Sequence, residues 1–350
     1  MKRMIGRTGL ETMRRVAAAT VMTVGLAGTA WAADPVKDAA AAATPVATAD
    51  AALATPDGKD AEKKDDGQDA ATPAVTQPPA VTVAVEPAEP FDPNPGALTL
   101  SGGFDVLNQY MFRGIRQHST GVAFWPWADL GIALHSSDGG LTSVGVNIGT
   151  WNSLHTGDTG TDGPSTKLWY ESDFYTTLAL GFSHGIAVGA TYTAYTSPNN
   201  SFSTVKELSV KLSFDDSPQL GKASLKPYVL LAQEFDTAPG LGQADGGLES
   251  GTYLEIGFAP GYSGSKASVV VPIKFGFSLS DYYELNGEDN AFGFASFGAL
   301  VTVPLGGTTK FGAWNVHGGV EFQKLGDTTK FFNGGDDTQF IGSIGIGFSY

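Results

Sequence analysis

Three groups of residues in this chain have types and spacings that could do chemistry. The first is Gly181-Phe182-Ser183-His184-Gly185, which matches G-x-S-x-G. A nucleophile elbow of that pattern needs a strand before the serine and a helix after it. Here apolar alternation resumes at Ile186, so a second strand follows and the segment reads as a tight hairpin turn. The second group is the histidines. His118, His135, His155, His184 and His317 fall mostly in turns or loops with no regular spacing, and no metal-ligand pattern emerges. His118-Ser119 and Ser153/His155 lie in adjacent loops. A lipid hydrolase with a Ser/His pair at its rim therefore stays open as an alternative. The acidic loops (Asp158 and Asp162; Asp281, Glu284, Glu288 and Asp289; Asp336 and Asp337) read as solvated, with cation bridging as the sharper option.

The third group is ten charged residues set among apolar neighbours: Asp105, Arg113, Asp129, Glu171, Asp173, Glu207, Lys211, Glu255, Lys274 and Glu321. Each takes the parity opposite to the large apolar residues of its own segment, so all ten are expected on one face of a sheet. Seven are acids and three are bases. Carboxylates collected on the inner wall of a pore attract cations. If they pair with bases across a narrow lumen, they close it instead.

Strands with two different faces must position these charges. From Gly96 onward no stretch carries a convincing helical period, whereas alternation with a period of two recurs. Lys167 to Ser183 is the clearest internal case: Leu168, Tyr170, Phe174, Leu178, Leu180 and Phe182 oppose Glu171, Asp173, Tyr175 and Thr177. The last strand, Gln339 to Tyr350, sets Phe340, Gly342, Ile344, Ile346, Phe348 and Tyr350 against small or polar residues, with Ile341 as the exception. About twelve such segments follow one another. The first starts near Leu98 and can run to Arg113. The seventh, 224–236, has uncertain parity, and the tenth, 291–304, switches parity near Ser296 as a bulge would require. Connections after even segments are short: His135 to Gly140, His184-Gly185, Asp215 to Lys222, Gly261 to Ser265 and Gly306 to Thr309. Those after odd segments are longer and more polar.

Many of these runs reach ten residues, the length that crosses a bilayer, and turn length sorts into two classes. Tyr110, Phe112, Tyr192, Phe214, Tyr253 and Tyr350 recur near strand ends, where aromatic rings suit headgroup depth. The expected fold is all-β: a transmembrane antiparallel β-barrel of about twelve strands over residues 96–350. Gly is 46 of 350 residues and Cys is absent, which excludes disulfides and thiolate metal sites. A formal charge of −15 argues against nucleic-acid binding.

The first 95 residues read differently. Lys2, Arg3, Arg7, Arg14 and Arg15 precede a short apolar run and Ala30-Trp31-Ala32, so 1–32 reads as a cleaved secretory signal. Residues 33–95 are rich in Ala, Pro, Thr and Asp, with almost no large apolar side chains, and read as a disordered periplasmic spacer.

Two segments carry a family resemblance. Tyr110-Met111-Phe112-Arg113-Gly114-Ile115-Arg116-Gln117 resembles the Y-x-F-R-G-x-x-Q segment after the first strand in the TorF family of bacterial outer-membrane proteins of porin type. Arg116 stands where the family often has a small residue. The C-terminal strand resembles the signal read by barrel-assembly machinery, through Phe340, Ile344, Ile346, Phe348 and Tyr350. The resemblance implies a Gram-negative outer-membrane location and passive passage of small hydrophilic solutes. It implies no cofactor and no substrate, and the partners are outer-membrane lipid and the assembly machinery. A non-conducting structural or adhesive barrel is the other non-enzymatic reading.

Overall fold

The computed structural model describes residues 97–157, 166–235, 250–264, 266–307 and 309–350. The expected signal and spacer lie outside these residues, as do Asp158 and Asp162.

Twelve antiparallel strands close into one barrel. They are β1 (Leu98–Leu107), β2 (Ala123–Ser136), β3 (Leu141–His155), β4 (Trp169–Phe182), β5 (Ile186–Thr196), β6 (Val205–Phe214), β7 (Tyr228–Phe235), β8 (Thr252–Phe258), β9 (Ile273–Ser280), β10 (Phe292–Pro304), β11 (Ala313–Leu325) and β12 (Thr338–Ser349). Each pairs with the next in the chain, and β12 pairs with β1 through Ser349↔Ser101 to Ser343↔Leu107. Closure leaves no row of unpaired backbone groups, which a bilayer would penalise by several kcal/mol per group.

The alternation in the sequence becomes the two faces of this wall. Phe174 (59% exposed), Phe297 (57%), Phe340 (59%) and Ile344 (60%) point outward, with Leu178, Leu208, Val210, Leu212, Val229, Leu231 and Val320. Large apolar side chains exposed all round a closed barrel need an apolar surrounding, and a lipid bilayer supplies it. The neighbouring positions turn inward and are buried although many are polar: Thr177, Thr191, Thr193, Ser209, Ser278, Ser296 and Gln323.

Local irregularities follow from identifiable residues. His184 (φ 66°) and Gly185 (φ 79°) form the two-residue turn between β4 and β5, as the strand after G-x-S-x-G required. Pro260 and Pro272, which have no N–H to give a ladder, interrupt one long hairpin on both of its arms. Beyond them Gly261–Ser263 pairs with Ser268–Val270, so the turn falls at 264–267, displaced toward the C-terminus from the expected Gly261 to Ser265. The bulge in β10 sits at Gly293, between the pairs Phe277↔Phe292 and Gly276↔Phe294, three residues before the expected Ser296.

Three expectations are corrected. The first strand stops at Leu107 instead of reaching Arg113. Tyr110–Phe112 and Ile115–His118 form a separate two-stranded hairpin. Tyr110, Phe112 and Tyr253 are buried inside the barrel rather than set at headgroup depth. Tyr170 also faces inward: a register shift between Ser153 and Leu154 lets Trp169 point out at 39% exposure, while the Tyr170 ring stacks on His155.

Candidate functional site

The hairpin of residues 110–118 occupies the barrel interior at the end carrying the long connections. Tyr110, Met111, Phe112, Arg113, Gly114 and Ile115 are all buried. Its tip is Arg113-Gly114, with φ of 44° and 84°, the paired positive values of a two-residue hairpin turn. Gly114 suits that conformation, and a Cβ there would also press on the Phe294 ring.

The inner wall is shaped to receive it. Leu107, Trp125, Trp127, Trp151, Tyr195, Val205 and Ile341 form one apolar cluster with Tyr110, Met111 and Phe112. Ile341, the lone apolar residue on the polar face of the last strand, is there because it faces the hairpin rather than water. Ile115 packs with Leu230, Tyr253, Tyr282, Tyr283, Phe294 and Leu325 on the other side. Each buried aromatic covers on the order of 150–250 Å², so the hairpin has a substantial apolar core of its own.

Polar contacts then fix the tip. The Arg113 guanidinium donates Nη1 to Glu207 Oε2 at 2.7 Å and Nη2 to Glu207 Oε1 at 2.9 Å. Nη1 also reaches Tyr282 Oη at 2.8 Å. Its Cζ lies 4.1 Å from the Tyr253 ring centroid, 5.0 Å from Phe112 and 5.3 Å from Tyr282. Tyr195 Oη donates to Glu207 Oε1 at 3.3 Å. Two further donors hold the backbone: Tyr283 Oη to the Arg113 carbonyl at 2.8 Å, and Asn333 Nδ2 to the Gly114 carbonyl at 2.8 Å. Tyr282 and Tyr283 come from the β9–β10 connection. Asn333 follows α1 (Asp327–Phe332) in the β11–β12 connection, and the Thr328 hydroxyl of that helix donates to the Tyr283 carbonyl.

The ten sequence-predicted residues divide by environment. Eight of them, Asp105, Arg113, Asp129, Glu171, Asp173, Glu207, Glu255 and Glu321, are buried, and Lys211 and Lys274 are half-buried. Arg113 and Glu207 are brought together as a bidentate ion pair. Asp129 accepts from Asn147 Nδ2 (2.6 Å) and Tyr175 Oη (3.1 Å). Glu255 accepts from Tyr228 Oη and Tyr253 Oη, both at 2.6 Å, and Lys211 Nζ sits 4.2 Å over the Tyr228 ring. Glu321 accepts from Gln323 Nε2 at 2.8 Å. Lys274 lines up in register with Ser296 and Gln323 on the next two strands. Glu171 and Asp173 alternate along β4, opposite Ser153 and Trp151. Asp105 Oδ1 lies 2.6 Å from His317 Nε2, and His317 Nδ1 lies 2.9 Å from Asn315. That contact passes over β12 at Gly345, where a Cβ would collide with both side chains.

Sequence reasoning missed Glu234, buried beside the Gly251 amide, because the parity of its segment was uncertain. It also missed Tyr195, Tyr282 and Tyr283. The residues expected to form the assembly signal, Phe340, Ile344, Ile346, Phe348 and Tyr350, are on the outward face or at the chain end.

A Ser/His pair does meet: Ser153 Oγ is 2.7 Å from His155 Nε2. Both residues are on β3, not in a loop, and both are buried at 0% and 1% exposure. Trp125 Nε1 donates to the same Ser153 oxygen, and the rings of His118 and Tyr170 stack on His155. The serine faces the interior, with the barrel wall between it and lipid. Ser119 is exposed, while the His118 ring turns inward to the Thr156 carbonyl. Among the described residues no group of three or more His, Cys, Asp or Glu converges as metal ligands.

No family model matches the chain, and no curated protein does. Among solved structures it is similar to the NanC porin (15% identity, covering 72% of this chain and 99% of that one, TM-score 0.35). It is similar to an outer membrane channel from Pseudomonas putida F1 (10%, 73% and 96%, TM-score 0.41). It is also similar to the KdgM porin in complex with disordered oligogalacturonate (6%, 72% and 99%, TM-score 0.34).

Proposed function

We propose that this protein is an outer-membrane channel of porin type, passing small hydrophilic solutes by diffusion with a preference for cations. The observation that carries the reading is the two-faced wall: large apolar side chains outside, and Asp105, Asp129, Glu171, Asp173, Glu255 and Glu321 turned inside. Glu207 is paired with Arg113, and among the ten predicted residues two bases, Lys211 and Lys274, stand with those six acids. Those of the carboxylates that are ionised where they meet lumen water raise the local concentration of cations over anions. The hairpin of residues 110–118 is the constriction, and its packing sets how often the path is open. In this reading residues 1–32 direct export, 33–95 form a periplasmic spacer, and the C-terminal strand is the segment gripped during assembly. The long connections then face outward, and Tyr350 lies at the periplasmic rim. No cofactor takes part.

The second reading, a non-conducting structural barrel, is favoured by one observation: two aromatic clusters fill the interior around the hairpin. Planar-bilayer recordings separate the two. The channel reading expects small, cation-preferring currents that grow when residues 109–118 are replaced by a short Gly-Ser turn. Silence from both proteins, with the barrel folded, favours the structural reading.

A further inference from the structure

The surroundings of Arg113 have the anatomy of a receptor. A planar cation lies in a cleft formed by one carboxylate in bidentate contact, one phenol oxygen at 2.8 Å and the face of Tyr253 at 4.1 Å. A second phenol, from Tyr195, supports the carboxylate. Fork geometry and an aromatic face select a guanidinium over a compact ammonium. The occupant is not part of the wall. It is carried on the tip of the inserted hairpin, whereas Glu207, Tyr195 and Tyr253 belong to strands β6, β5 and β8, and Tyr282 lies two residues past β9. The wall and the β9–β10 connection together therefore hold a guanidinium site, and the chain's own arginine fills it.

We propose that the Glu207–Tyr253–Tyr282 cleft is a binding site for solutes bearing a guanidinium group, with Arg113 as a tethered competitor. A solute that takes Glu207 from Arg113 removes the ion pair at the hairpin tip and shifts the hairpin away from the closed position. Binding itself does not depend on the chain being a channel. Only its consequence for transport rests on that reading.

The chain has no cysteine, so a single Met111→Cys change on the buried hairpin reports opening through its rate of reaction with a thiol reagent. The probe is methylguanidinium at millimolar concentration in folded, detergent-solubilised protein. Methylammonium and urea at the same concentration, and constant ionic strength, serve as controls. The expected result is a saturable rise of about tenfold in labelling rate with methylguanidinium alone, the change produced when a ligand shifts a closed equilibrium by one decade. Adding Glu207→Gln is expected to abolish the saturable response. A rate that does not change, or one that methylammonium or urea changes equally, overturns the proposal. Should the cysteine variant not fold, Arg113→Ala provides the second test. Its thermal midpoint rises with methylguanidinium and not with methylammonium if the cleft recognises the group, and an equal response to both defeats the proposal. Neither readout involves conductance, so failure here is distinguishable from failure of the channel reading.

Discussion

Replacing Arg113 with Met tests how the hairpin is held. The Arg113 and Glu207 side chains are 2% and 1% exposed, so removing the cation leaves a carboxylate buried without its partner. Breaking one side of such a pair costs about 3–5 kcal/mol, which is roughly two to four decades in the ratio of closed to open hairpin. Tyr195 Oη still donates to Glu207, and the apolar contacts of Tyr110, Phe112 and Ile115 survive, so the barrel itself is expected to stay folded. In the Met111→Cys background the change appears as faster thiol labelling, while the heat-modifiable band of the intact barrel persists on gels. The double variant Arg113→Met/Glu207→Gln should recover most of the loss, because no unpaired charge remains and the amide oxygen still accepts from Tyr195. Unchanged labelling in Arg113→Met, or a double variant that opens more readily than the single one, would refute the reasoning. The hairpin would then be held by its aromatic packing, and the ion pair would be incidental.

Three other predictions concern the wall and its turns. Gly345→Ala should destabilise the barrel by about 1–3 kcal/mol, since the new methyl meets Asp105 and His317 across the closing strand, and urea unfolding measures it. Asp216, in the β6–β7 connection, accepts from the Ser224 hydroxyl and the Leu225 and Lys226 amides, and those contacts lower its pKa from 3.8 to about 2. A depressed carboxylate stabilises the folded turn above pH 3.8 and loses that contribution as pH falls towards 2. Proteolytic nicking of residues 215–227 should therefore increase across that window, and Asp216→Asn should flatten the dependence. Deleting Phe348 to Tyr350 removes the register pairs of β12 with the start of β1 and the bonds between Tyr350 and Leu100. The truncated chain should fail to insert into membranes, as a fractionation assay would show, and normal insertion would remove the strand's assembly role.

The barrel was legible because lipid outside and a polar interior force opposite residue types onto alternate positions, as along Leu178, Leu208 and Glu207. The hairpin was not, because Tyr110, Phe112 and their neighbours continue the alternation of β1 without a break in composition. Two signals could have pointed to it. Gly114 suits a positive-φ turn, and Ile341 breaks the polarity of the lumen face where the hairpin packs. Proline positions, Pro260 and Pro272, also marked the interruptions of the β8–β9 hairpin. The partners of Arg113 were unreadable, since Glu207 and Tyr282 lie 94 and 169 residues away in sequence. Tyr282 reaches it through a loop whose path no alternation encodes.

In the proposed channel the acid-lined interior conducts and residues 110–118 limit it. The most direct test is the reversal potential under a potassium chloride gradient in planar bilayers, recorded for the wild type and for the variant with 109–118 replaced by a short turn. A cation-selective reversal potential is expected in both, with larger conductance in the variant. Absence of current in both folded proteins, or a reversal potential of the opposite sign, would contradict it.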